Sequence, residues 1–462
     1  MSRAARLTPQ PRGTLSRSPR AAALTVLCFA ACLLACALAP AAHACSVCVH
    51  AGHADTPDPA HCVAAFQTDA PWQSSAQGSS TVAPFAQRDL TWSIVPDGTP
   101  IVAQFPDRGE ADGPSDLIAT LDAWFGQGPG GSDLTQRPWF RLYADPFARW
   151  DQLTGLTFTY EPNDDLAPIT LNGLPGQLGT RADIRLAGHP IDGTTSPTFL
   201  AYNQFPSVGG DGVLDTLEQT RFTNPDNDFR LLRNTLAHEL GHAIGLRHET
   251  PVGTDALMEA TLALNFDGPQ LDDILGAQSL YGDRFDQGLA NNTPDRATPL
   301  GTFHARQSAG VGLHAFDTPQ AVTPDLYDFV STSSTADIDY YAFELTERIL
   351  LDARLTPRGP AYDTDLTTYN AAEQADLWLI LFDAASPTPL ATINDNGLGQ
   401  AEILSDLWLD PGSYRVAVFG LGDTQLYTLN LNFNIPEPAT AALAFALAAL
   451  PLIRRPVRAG RR

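Results

Sequence analysis

Lysine is absent from this chain of 462 residues, and all 28 of its positive charges are arginines. Five of these lie in the first 20 residues and five in the last nine, so residues 21–453 hold 18 arginines against 52 acids, a net charge of −34. A surface of that sign disfavours nucleic acid and anionic membrane as partners. It suits calcium, or it simply solvates the fold. Methionine is almost as scarce: beyond the initiator there is only Met258. Of six cysteines, Cys28, Cys32 and Cys36 fall in an apolar terminal run, leaving Cys45, Cys48 and Cys62. Three cysteines exclude a disulfide-built scaffold. No internal repeat and no heptad pattern is present, which excludes solenoids and coiled coils. The length exceeds what one hydrophobic core usually serves, so two or more folded units are expected.

Both ends read as sorting segments. Residues 1–20 carry five arginines and no acid, residues 21–39 are almost wholly apolar, and Ala42-His43-Ala44 offers a small-residue cleavage site. Residues 1–44 therefore read as a secretory signal peptide, with an uncleaved anchor or lipidation at Cys36 as the rival readings. At the other end Pro436-Glu437-Pro438 precedes an apolar stretch over 439–453 and then Arg454, Arg455, Arg458, Arg461 and Arg462. Fifteen residues with Pro451 among them fall short of the roughly 20 needed for a membrane span. The tail over 435–462 resembles the PEP-CTERM sorting signal. That resemblance implies handling by exosortase-type machinery, with export to the exterior or cell surface of a Gram-negative-type bacterium. A plain terminal anchor is the alternative.

Between the ends, residues 45–88 are rich in Ala, Ser, Pro and His without periodicity and read as an N-terminal extension or short pro-segment. Strand-like alternation predicts strands over 90–95, 156–160, 182–187, 199–204 and 213–215. Helical spacing predicts helices over 116–125 and 146–153, a helix capped by Asp228 and running to 244, and one over 270–281. Together these give an α+β domain over 89–283. Beyond Asn291-Asn292-Thr293-Pro294 the pattern becomes short alternating runs at 340–345, 377–382, 414–419 and 427–431, so 291–433 is expected to be an all-β sandwich.

The chemistry concentrates in His238-Glu239-Leu240-Gly241-His242-Ala243-Ile244-Gly245-Leu246-Arg247-His248. On a helix, residues four apart share a face, so His238 and His242 can offer two imidazole nitrogens to one ion. Gly245 permits the left-handed backbone that ends a helix and turns the chain, bringing His248 in as third ligand. Three protein ligands leave a fourth tetrahedral position for water, as catalytic zinc requires, and Glu239 stands beside them as general base. Near residue 45, Cys45, Cys48, His50, His53, His61 and Cys62 form a dense cluster. A disulfide with one spare cysteine and a thiolate capping the zinc in a latent form are both open.

The extended histidine motif followed by Met258 in Ala256-Leu257-Met258-Glu259-Ala260 resembles the metzincin zinc peptidases with their Met-turn. The short His248-to-Met258 interval, Asp183-Ile184-Arg185, Gly209-Gly210-Asp211 and Gln278-Ser279-Leu280-Tyr281-Gly282 are similar to matrixins in particular. The resemblance implies a mixed twisted sheet with an active-site helix and Met-turn. It also implies zinc-dependent endopeptidase activity on protein or peptide substrates, with Met258 as a packing floor. Asp192, Asp215 and Glu218 match calcium-binding positions of matrixins; ordinary turn and capping acids are the plainer reading. Phe199, Leu200, Ala201 and Tyr202 match the edge strand that pairs with substrate. Tyr202 and Val213 stand where a second, structural zinc would have histidines, so only the catalytic zinc is expected. Glu249 after His248 is similar to astacins instead, and no Pro-Arg-Cys-Gly latency motif is present. Residues 291–433 resemble the pre-peptidase C-terminal domain through Asp337-Ile338-Asp339-Tyr340-Tyr341, Ala375-Asp376-Leu377-Trp378-Leu379 and Gly412-Ser413-Tyr414. A monomeric enzyme is expected. The rival class is a non-catalytic surface adhesion or ligand-binding protein led by the β-domain.

Overall fold

The computed structural model describes residues 66–79, 88–193, 199–249, 256–288, 290–312, 329–334, 336–358, 361–363, 368–370, 373, 375–421 and 424–435. Apart from Ile435, the two sorting segments lie outside these residues, as does the cluster of Cys45, Cys48, Cys62 and their neighbouring histidines.

The first domain is built on a five-stranded sheet. Its strands are β1 (Asp89–Ile94), β2 (Thr157–Tyr160), β3 (Ile184–His189), β4 (Ala201–Asn203) and β5 (Gly212–Asp215), in the order β2-β1-β3-β5-β4. All neighbours are parallel except β4, which runs antiparallel to β5 at one edge. Besides the single turn Gln219–Phe222, the longer helices among the described residues of this domain are α1 (Leu117–Phe125), α2 (Phe140–Leu153), α3 (Arg230–Ala243) and α4 (Leu271–Tyr281). Trp92, Trp139, Trp150, Leu236 and Leu240 join in the core between sheet and helices. The expected α+β layering is what the strands and helices form.

Three local departures have physical causes. Helix α2 begins at Phe140, six residues before the expected start, and carries Pro146 inside it. Proline withholds one helical hydrogen bond, but Leu142, Tyr143 and Phe147 of the same helix are buried, and their packing offsets that loss. The carboxylate of Asp228 does not cap α3. It accepts two bonds from the Arg141 guanidinium, and Asn227, Asp228 and Phe229 all take left-handed backbone (φ 53°, 59° and 57°). Arg233 then binds the carbonyls of Asn227 and Asp228, closing the loop from below. Helix α1 is capped from another element: Asp97 accepts from the Ile118 and Ala119 amides at 2.9 Å each.

Residues 66–79, within the stretch read as an extension, lie against the domain. The Asp69 amide donates to Gly245 O at 2.7 Å, and the Arg247 amide donates to Gln67 O at 2.9 Å. The Trp72 indole donates to Ala243 O at 2.8 Å, and its ring is in the main core. Trp72→Ala is expected to lower unfolding free energy by about 3–5 kcal/mol in a urea titration. A change below about 1 kcal/mol would mean the segment is merely laid on the surface.

The second domain comprises β6 (Thr298–Phe303), β7 (Gln307–Val311), β8 (Asp339–Leu345), β9 (Ile349–Pro357), β10 (Leu377–Asp383), β11 (Pro389–Ile393), β12 (Glu402–Leu409), β13 (Gly412–Gly420) and β14 (Gln425–Asn434). One sheet has the order β6-β8-β13-β10-β11, the other β7-β14-β9-β12, with the short strand Ser331–Thr332 also paired to β14. Strict burial alternation in β8 and β9 turns Tyr341, Phe343, Leu351 and Leu355 inward, and one core unites residues of both sheets. Stacked Phe303 and Phe433 rings, 4.5 Å apart, bridge them. The alternation that predicted a sandwich is therefore the alternation that fills its core.

Candidate metal centre and active site

Helix α3 supplies the first two imidazoles from successive turns of its last half, both fully buried. The helix stops because Gly245 adopts φ 101°, a left-handed turn that costs little only for glycine. Its amide bonds His242 O at 2.9 Å and the Leu246 amide bonds Gly241 O at 2.8 Å, so the chain reverses tightly and returns His248 to the helix.

The three rings meet at their Nε2 atoms. His248 Nε2 lies 3.2 Å from His238 Nε2 and 3.1 Å from His242 Nε2. The other ring nitrogens of the helix pair are engaged elsewhere: His238 Nδ1 is 2.6 Å from Leu257 O and His242 Nδ1 is 2.7 Å from Leu246 O. A carbonyl only accepts, so each Nδ1 carries the proton and each Nε2 presents a lone pair to the common point. Lone pairs facing at that distance repel unless a cation lies between them. Tetrahedral zinc with bonds of about 2.0–2.1 Å separates its nitrogen ligands by about 3.3–3.4 Å, close to the spacing found. Among the described residues this is the only group of three metal-ligating side chains whose ligand atoms lie within 4.8 Å of one another. The donor set therefore fits zinc, with three ligands from protein. Glu239, next to His238 on α3, is 4% exposed.

Met258 is fully buried beneath this centre. A Cβ added at Gly241, the residue before His242, would overlap the Met258 sulfur, so glycine is required there for close approach. Gly241→Ala is expected to cost about 1–3 kcal/mol and to weaken zinc retention. Zinc loss to a chelator at the wild-type rate would show that the Met258 contact does not position the histidines. The turn bearing Met258 is held by Asp273 of α4, which accepts from the Leu257 and Met258 amides at 2.8 and 2.9 Å. Burial pushes the Asp273 carboxyl up to about 6, opposed by those amide bonds and one from Gln270. Leu257 in turn offers its carbonyl to His238, so Asp273 acts on the first imidazole through one residue.

The other expected site residues are dispersed around β4 and β5. Phe199, Leu200, Ala201 and Tyr202 are buried, and β4 is the sheet edge that packs beside α3. Asp192 and Asp215 are neighbours: burial and the Asp215 charge raise the Asp192 carboxyl, and the Asp192 amide contacts Asp215 Oδ2 at 3.4 Å. Glu218, 1% exposed, is 3.3 Å from the Arg221 guanidinium. These three carboxylates do not converge as the histidines do. Tyr202 donates to Glu110 at 2.9 Å, and His189 Nε2 lies 2.7 Å from the same carboxylate oxygen. Burial raises the Glu110 carboxyl, but bonds from His189, Phe105, Tyr202 and Gln104 outweigh it and hold it below its usual value. Sequence reading missed Glu110, His189 and Asp273. Only the isolated His189 gave any signal, since its partner stands 79 residues away.

Comparison with known proteins agrees with the geometry. Residues 130–282 match the sequence model of the matrixin family. Interstitial collagenase of Sus scrofa is 34% identical over 152 residues, which is 32% of this chain and 29% of that protein. Matrix metalloproteinase-16 of Rattus norvegicus is 33% identical over 150 residues, 31% of this chain and 23% of that protein. The chain thus spans less than a third of the length of these curated relatives. A solved structure, the pre-peptidase C-terminal domain of collagenase from Bacillus anthracis, covers 30% of this chain and 96% of its own at 11% identity. Its TM-score of 0.19 is too low to bear on the role of the β-domain.

Proposed function

We propose that this chain, whose residues 130–282 match the matrixin family, is an exported zinc endopeptidase that hydrolyses extracellular proteins with Glu239 as its base. The observation that carries the reading is the meeting of three imidazole Nε2 atoms, on a helix in which the buried Glu239 follows His238. Zinc, when bound, supplies Lewis acidity that lowers the pKa of a water to near 7 and polarises the scissile carbonyl. His238, His242 and His248 hold it, each helical imidazole fixed in its tautomer by a backbone carbonyl. Glu239 takes the proton of the attacking water and passes it to the leaving nitrogen. A structural zinc would have no use for a carboxylate at that place.

Strand β4 is one edge of the sheet and lies beside α3. An extended peptide adding to that edge would run past the histidines, which favours cleavage within chains over trimming of ends. Asp192, Asp215 and Glu218 are the carboxylates offered to a hard cation such as calcium, and of these Asp192 and Asp215 are in contact. Export rests on the two terminal segments read from sequence, and no helix among the described residues is long and apolar enough to cross a membrane.

The test is electrophoresis of the full chain in a protein-containing gel, with and without a zinc chelator. A cleared band that vanishes with chelator and returns with added zinc is expected. Clearing that survives exhaustive chelation would reject the zinc mechanism.

A further inference from the structure

The β-domain does not hang from the peptidase domain by a free linker. Its Phe329 and Leu426, 2% and 1% exposed, share a small apolar core with Leu153 of α2 and Leu271, Ile274 and Leu275 of α4. Polar contacts close around that core. Gln278 of α4 donates from Nε2 to Leu153 O and Phe329 O, both at 2.9 Å, and accepts from the Ser331 hydroxyl at 2.7 Å. The Ser331 amide donates to Asp283, just past the end of α4, at 2.9 Å.

Helix α4 spans 11 residues, too short to be stable without tertiary cover. The residues that cover its first two turns include Phe329 and Leu426 of the neighbouring domain. Those same two turns carry Asp273, whose two oxygens hold the Leu257 and Met258 amides, and Leu257 O holds His238. We infer that the β-domain is a working part of the metal site, with Phe329, Ser331 and Leu426 holding α4 where Asp273 can fix the Met258 turn beneath the histidines. They are positioning residues, acting through α4 and never touching substrate. The catalytic consequence rests on the zinc-peptidase reading, while the structural one stands without it.

Full-length Phe329→Ala and the milder Ser331→Ala, with Ser331→Thr as the conservative control, separate these. Amide hydrogen exchange at Leu257 and Met258 reads the Asp273 contacts directly, and zinc release to a chelator together with kcat and KM reads the site. Coupling across such a network is expected to speed exchange at those two amides and zinc release by roughly two- to thirtyfold. The fall should appear in kcat and not in KM, exchange in β1 and β3 should be unchanged, and Ser331→Thr should match the wild type. Wild-type exchange at Leu257 and Met258 in Ser331→Ala and Phe329→Ala would overturn the inference, as would uniform loosening of the whole sheet. Wild-type protein that holds no zinc would instead defeat the peptidase reading, with the exchange result still deciding whether the β-domain braces the turn.

Discussion

Glu239→Gln lowers peptide hydrolysis by roughly 10²- to 10⁴-fold, the ordinary share of general acid–base catalysis, while zinc content stays at the wild-type level. The expectation follows from the division of labour in α3. His238 and His242 bind through Nε2 and are oriented through Nδ1 by Leu257 O and Leu246 O, so the side chain of Glu239 is not needed to hold their geometry. Glutamine keeps the size and removes the basicity. Because a mechanistic loss resides in proton transfer, kcat should fall with KM nearly unchanged. Turnover within about threefold of wild type would reject the assigned base, and joint loss of zinc and activity would make Glu239 a structural residue.

Stability should fall as pH rises through neutrality, and the cause lies at the domain junction. Asp283, Asp286, Asp337 and Asp339 are all buried, from both domains, with Arg88 as the guanidinium whose charge offsets Asp286 and Asp337. Burial first, then mutual repulsion, pushes the Asp286 carboxyl up to about 7, and Asp283 and Asp339 are driven well above the usual carboxylate range. A carboxyl whose folded pKa is raised binds its proton more tightly in the native state. Its contribution is therefore full below about pH 4 and is lost as pH climbs through about 7. Zinc binding has the opposite trend, since imidazoles must lose protons to bind metal. The useful quantity is thus the difference between wild type and Asp286→Asn in zinc-saturated protein. The variant should gain on the order of 2 kcal/mol relative to wild type between pH 5 and pH 8 in urea titrations. A constant difference across that range would mean that Asp286 titrates normally.

What the sequence disclosed was whatever depends on local period. The spacing of Leu232, Leu236 and Leu240 marks the buried face of α3, the four-residue interval of His238 and His242 follows from the same helix, and the alternation of Tyr341, Phe343 and Leu345 marks a strand of the sandwich. Gly245 was legible because one residue type answers one backbone need. Pairings across distant segments were not. Asp273 looks like any acid in a first helical turn until the fold brings the Leu257 and Met258 amides to it. Glu110 and His189 have no local pattern, and Asp228 looked like a cap because nothing in its neighbourhood announces Arg141. Trp72 sits in a stretch without periodicity, yet its anchor is the carbonyl of Ala243, 171 residues away.

The most direct measurement is X-ray absorption at the zinc edge of purified full-length protein, paired with metal analysis. A single zinc per chain is expected, with three imidazole nitrogens at about 2.0–2.1 Å and one light oxygen ligand that an inhibitor displaces. No tightly held transition ion would contradict the assignment, as would a fourth protein ligand closing the site or a His248→Ala variant with an unchanged metal spectrum.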